Sequence, residues 1–194
     1  VLRQNTAVES LDLSGSHLGS GGLAEIAPVL YHNTSIKSLD LSHNHLDDIE
    51  SANVLRELIR RNKTITSLNI ADNAFGRNAA AVRSIAGGVR SNTALRQLDL
   101  TACELNDQGL SLLANALVTR NASIPVEIDL QCNEITSVGV RALVEDNVEA
   151  VKNLAELCLT GNPIGSVGAM VLADGLGRNA MPNLKQLDLN WCGI

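Results

Sequence analysis

Three histidines, His17, His43 and His45, lie near Asp47 and Asp48, residue types that ligate divalent metals. A metal centre of that kind needs about three convergent ligands. Because His43 and His45 flank Asn44 in what reads as a turn, the cluster is expected to hold no metal. Four cysteines, Cys103, Cys132, Cys158 and Cys192, lack the short paired spacing of a zinc site or a disulfide framework. They predict free thiols in a reducing, intracellular setting. No Ser–His–Asp arrangement, glycine-rich phosphate loop or paired-acid motif is present, so neither a catalytic residue nor a cofactor is predicted. The chemistry that remains is charge: Asp12, Asp40, Asp99, Asp129 and Asp188 each occupy the middle of a Leu/Ile-Asp-Leu triplet.

Those triplets belong to a repeat. Leu11-Asp-Leu13 recurs at Leu39–Leu41, Leu68–Ile70, Leu98–Leu100, Ile128–Leu130, Leu157–Leu159 and Leu187–Leu189. Three residues beyond each comes Ser16, Asn44, Asn73, Cys103, Asn133, Asn162 or Cys192, at intervals of 28, 29, 30, 30, 29 and 30 residues. Two further on stands an apolar residue such as Leu18, Phe75 or Ile135. The pattern is L-x-x-L-x-L-x-x-(N/C)-x-(L/I), seven times over. Its alternating core predicts a short strand with the leucines inward and the middle residue outward. The Asn is placed to hydrogen-bond the turning backbone, with Cys as a weaker substitute.

Runs with helical periodicity follow, such as Leu110–Leu117 and Val140–Val144. Asp107, Ser137 and Ser166 are the candidate N-caps. Asn33, Asn62, Asn92, Asn121 and Asn179 follow the last helical turns, where Asn tolerates the left-handed conformation. Arg60, Arg61, Arg90, Arg120 and Arg178 precede them and complement the helix dipole. The third repeat is the least regular, with Gly87-Gly88 weakening its helix and Arg83 near the core stripe.

Strands pack about 4.8 Å apart and helices about 8–10 Å apart, so a stack of such units must bend with its sheet inside. The expected fold is an α/β solenoid, a right-handed βα horseshoe with a concave parallel sheet and convex helices. It forms a single domain over 1–194, with repeats beginning near 8, 36, 65, 95, 125, 154 and 184. The outward strand positions then include Asp12, Asp40, Asn69, Asp99, Glu127, Asp129, Glu156 and Asp188, with seven carboxylates and no Lys or Arg among all of them. This strip, with Trp191 at its C-terminal end, is the expected partner-binding face. A framework role for the aspartates is the competing reading. Trp191 fits equally an exposed anchor or a cover for the end of the core.

Composition agrees. The chain has 194 residues, 45% apolar and 19% charged, with a net charge of −6. That excludes a disordered chain and argues against nucleic acid, which needs concentrated Lys and Arg. No apolar run approaches the roughly 18 residues of a membrane helix. Aromatic residues are 2% of the chain, so any binding at the inner face must rest on charge and extended area rather than ring anchors. The triplets at Asn33, Asn62 and Asn121 match a glycosylation signal, but each coincides with a helix C-cap.

On these motifs the chain resembles the ribonuclease-inhibitor-type leucine-rich repeats, a group that includes the Ran GTPase-activating proteins and the sensor domains of NOD-like receptors. Its four cysteines and irregular Asn/Cys order distinguish it from ribonuclease inhibitor itself. The resemblance implies a non-catalytic scaffold that binds proteins, in the cytoplasm. Regulation of a small GTPase, ligand sensing in an immune-type receptor, or a fixed place in a cytoskeletal or ciliary assembly are the alternatives. Val1–Val8 parallels Val29–Ile36, and the pattern stops after the seventh strand, so both ends are expected to cut through a longer array.

Overall fold

The computed structural model describes residues 4–120 and 124–194. Seven short strands form one parallel sheet in chain order: β1 (Ser10–Asp12), β2 (Ser38–Asp40), β3 (Ser67–Asn69), β4 (Gln97–Asp99), β5 (Val126–Asp129), β6 (Leu154–Cys158) and β7 (Gln186–Asp188). Helical segments cross between them: α1 (Gly19–Leu30), α2 (Ile49–Arg61), α3 (Ala79–Ser91), α4 (Asp107–Val118), α5 (Ser137–Arg141), α6 (Val148–Val151) and α7 (Gly165–Gly177). The architecture is the α/β solenoid that the spacing predicts. Register follows the repeat, with Leu39 beside Leu68, Leu68 beside Leu98, and Leu98 beside Ile128. One bulge interrupts it, where Val126 pairs with Leu154 but Glu127 pairs with Glu156. These aliphatic side chains form a continuous buried ladder, with Phe75 the largest ring inside it.

Asparagine stitches each repeat to the one before. Asn73, almost fully buried, donates from Nδ2 to the carbonyls of Leu41, Ile70 and Ala71 and accepts at Oδ1 from the amides of Asn44 and Leu46. Asn133 and Asn162 repeat the arrangement. Where Cys103 and Cys192 take the slot, the thiol donates to the carbonyl of Ile70 or Leu159, but no side-chain oxygen is available to the preceding repeat. That repeat turns differently. The amides of Phe75 and Ile164 bond to Asn73 and Asn162 carbonyls, and those of Gly76 and Gly165 reach the Cys103 and Cys192 carbonyls. The 3₁₀ turn at Phe75–Arg77 is particular to the third repeat, since α7 begins directly at Gly165 in the repeat before Cys192.

Burial pushes the Cys103 thiol well above the ordinary range. Cys132 is exposed, while Cys103 and Cys192 are buried. Brief iodoacetamide treatment is accordingly expected to alkylate Cys132 first, leaving Cys103 and Cys192 protected until denaturant is added. Mass spectrometry of the peptides checks this; early labelling of Cys103 would contradict the ladder role.

Several local expectations need correction. The N-caps are Asn106 and Thr136, each one residue earlier than expected, and α7 starts at Gly165 with no side-chain cap. Asp107 instead accepts from the amide and hydroxyl of Thr136, clasping the next repeat. Asn62 and Asn92 are extended, not left-handed, and among the described members of the set Asn179 alone has a positive φ, 55°. Their side chains form a second ladder beneath the helices: Asn62 donates to the Leu30 carbonyl and Asn92 to that of Ile59. Asn33 and Asn62 are thus buried within the backbone network, which removes them as glycosylation acceptors; Asn121 lies outside the described residues. Arg120 is also interior, 4% exposed, donating to the Asn92 and Leu95 carbonyls rather than facing solvent at a helix end. The Val140–Val144 run is helical as expected but widens partway: α5 passes at Ala142 into a π-helical turn, Ala142–Asp146, and Asn147 donates to the Ala142 carbonyl.

Candidate functional site: the acidic face of the sheet

The outward residues of the strands build this face. In β1 to β5 the middle carboxylate or carboxamide curls back on its own chain: Oδ1 of Asp12, Asp40, Asn69, Asp99 and Asp129 accepts the amide two residues on, at 2.8–2.9 Å. The backbone turns out of each strand on that bond. Asn69 makes it without a charge, so the framework requires the oxygen and not the negative charge. The amide of Ser14 holds the Asp12 carboxyl below its usual range.

The second oxygens remain for other partners. Asp40 Oδ2 accepts from Asn69, and Glu127 accepts from Gln97. Asp188 accepts from Gln186. Register sets Asp12 beside Asp40, Asp99 beside Asp129, and Glu127 beside Glu156. Cys158 fills the middle position of β6 between Asp129 and Asp188, and burial raises its thiol. Like charges held about one strand spacing apart repel one another, and no Lys or Arg lies at the outward strand positions to offset them.

Asp40, Asn69, Asp99, Glu127, Asp129, Glu156 and Asp188 line one open groove of about 470 Å³. Asp12 stands beside it on the edge strand, and Trp191 lies beyond it. Trp191 is 91% exposed with a φ of 56°, so it covers no core; Cys192, 2% exposed, is the residue that points inward there. The left-handed turn is general: Gly15, His43, Asp72, Ala102, Cys132, Gly161 and Trp191, each just before the ladder residue, all have φ between 51° and 71°. This rim was not legible from the sequence, because only Gly15 and Gly161 carry the residue type that signals it.

The histidines meet at the same rim. His17 Nδ1 and His45 Nε2 are 3.1 Å apart, with ring centroids at 5.3 Å and planes 13° apart. That centroid distance is nearly the N–N separation plus two ring radii, so the rings meet end to end through an N–H···N bond. His43 turns instead to Asp72, at 3.1 Å. Among the described residues, no group of three or more His, Cys, Asp or Glu is arranged to hold a metal ion, and no helix is long and apolar enough to cross a membrane.

The Leucine Rich repeat family matches seven segments, 4–27, 32–49, 61–80, 91–114, 126–144, 152–173 and 180–194. The chain belongs to the leucine-rich repeat family. Mouse ribonuclease inhibitor is 30% identical over 112 residues, covering 58% of this chain and 24% of that protein. Human NACHT, LRR and PYD domains-containing protein 12 is 34% identical over 116 residues, covering 60% of this chain and 11% of that one. These relatives place the repeats in the ribonuclease-inhibitor type, and the chain spans a quarter or less of their length. A solved structure titled leiomodin-1 actin-binding site 2 has a similar fold, with a TM-score of 0.58 at 16% identity, covering 80% of this chain and 87% of that one.

Proposed function

We propose that this leucine-rich repeat chain is a non-catalytic protein-interaction scaffold that receives a basic protein segment along the acidic face of its sheet. It acts as part of a longer array in a cytoplasmic assembly. One observation carries the reading. Asn69 performs the framework task without charge, yet six neighbouring outward positions keep a carboxylate despite mutual repulsion. An uncompensated row of that kind steers cationic partners and favours extended, salt-sensitive contact. Trp191 offers a single aromatic contact at the C-terminal rim, and Asp12 extends the row by one strand.

The variant D40N/D99N/D129N separates charge from framework, because Asn retains the Oδ1 acceptor and only the bond from Asn69 to Asp40 Oδ2, on the sheet face, is lost with the charge. Its melting temperature is expected to stay within a degree or two of the parent, while affinity for a decalysine probe falls about tenfold, as for three exposed ion pairs. Fluorescence anisotropy measures it. Equal affinity in parent and variant would remove the sheet face from consideration. A ligand-sensing role in an immune-type receptor is a second reading, favoured by the match to the NACHT, LRR and PYD protein. It requires a nucleotide-binding domain in the same full-length gene product.

A further inference from the structure

The third repeat departs from expectation on the convex side. Arg83 was expected near the core stripe and is exposed; Gly87 and Gly88 were expected to weaken the helix, yet α3 runs unbroken from Ala79 to Ser91. Gly88 explains the packing. A Cβ there would lie 3.0 Å from the Arg56 carbonyl oxygen and 3.1 Å from its Cα, so glycine lets α3 approach the α2 backbone closely. One residue earlier, a Cβ built on Gly87 would sit 3.7 Å from Arg56 Nε, in ordinary contact with that side chain.

These absent side chains leave a groove of about 440 Å³ between the two helices, lined by Arg56, Arg83 and Arg90 with Asn53, Ser84 and Ser91. Arg83 and Arg90 are two helical turns apart, about 10 Å along α3. Arg56 enters from α2 opposite Gly87, between them, so three guanidinium-bearing chains follow one line. None has a carboxylate partner among the described residues. Their neighbours differ: Arg60 and Arg61 both bind Glu57, pulling its carboxyl down to about 2, while Arg141 pairs with Glu145 and Arg178 with Asp174. A chain of net charge −6 thus pairs these other helix arginines and leaves three adjacent ones unneutralised along a groove.

We infer that the groove between α2 and α3 is a second binding surface, which takes an acidic segment of a protein partner. Guanidinium groups bind carboxylates through paired N–H donors. A peptide in the polyproline II conformation has three residues per turn and rises about 3.1 Å per residue, so carboxylates three residues apart share one face, match the Arg83–Arg90 spacing, and leave Arg56 to meet the chain between them. The surface lies on the opposite side of the molecule from the acidic sheet and selects the opposite charge.

A fluorescein-labelled hexaglutamate peptide tests it in low salt, with inorganic phosphate and phosphatidylserine vesicles as separate arms. Saturable peptide binding is expected, weakened about tenfold in R56Q/R83Q/R90Q, whose exposed substitutions leave the melting temperature near the parent's. D40N/D99N/D129N should leave that binding intact, so this result stands apart from the decalysine measurement. Absence of saturable binding, or equal binding by the arginine variant, would overturn the inference. So would phosphate alone binding as tightly as the peptide, or vesicle binding without peptide binding.

Discussion

Asn73→Ala is expected to lower the melting temperature by roughly 10 °C. The carboxamide makes five hydrogen bonds across two repeats and is 1% exposed. Truncation strands the Asn44 and Leu46 amides and leaves three carbonyls short of a donor. Each stranded buried group costs about 1–3 kcal/mol, and partial relief by water leaves a total of about 4 kcal/mol. In a domain of this size each kcal/mol moves the midpoint by about 2–4 °C. Differential scanning calorimetry gives the shift, and hydrogen exchange should show the Asn44 and Leu46 amides released first. A loss under 2 °C would mean that the ladder is dispensable at this rung.

Gly76→Ala should cost nearly as much for a steric reason. A Cβ at this position would lie 2.4 Å from the carbonyl carbon and oxygen of Glu104 and from the Leu105 amide nitrogen, all backbone atoms of the next repeat. No rotamer change relieves such a contact, so the two repeats must separate. Separation would break the Gly76 amide bond to the Cys103 carbonyl. Overpacking of this kind costs about 3 kcal/mol. Chemical denaturation should show a lower midpoint with a similar slope; a midpoint within experimental error of the parent's would show that the third turn has slack. Because Asn73 and Gly76 share one turn, the double variant should lose less than the two separate losses combined.

The parts of the fold readable from sequence were those that the period enforces. A spacing of 28 to 30 residues aligns every L-x-L triplet, so strand register and the contents of the acidic row followed from counting. Features that depend on choices between adjacent, equally competent residues were harder to read. Asn106-Asp107 and Thr136-Ser137 both offer two capping side chains, and the cap fell on the first because the second residue already begins the helix. The asparagines after the helices satisfy a terminus locally or reach across to the previous repeat, and only the neighbouring carbonyls decide which. Arg83 is exposed because the buried stripe of α3 runs through Val82, Ile85, Ala86 and Val89, which turns Arg83 toward the groove beside α2.

The distribution of charge has a mechanical consequence. Carboxylates occupy the sheet face and unneutralised guanidinium groups occupy the α2–α3 side, so a net-negative molecule also carries a permanent electric dipole across its thickness. In the field of a charged surface the molecule experiences a torque as well as a net force. It turns to present one face before contact, so orientation is partly set while the partner is still a Debye length away.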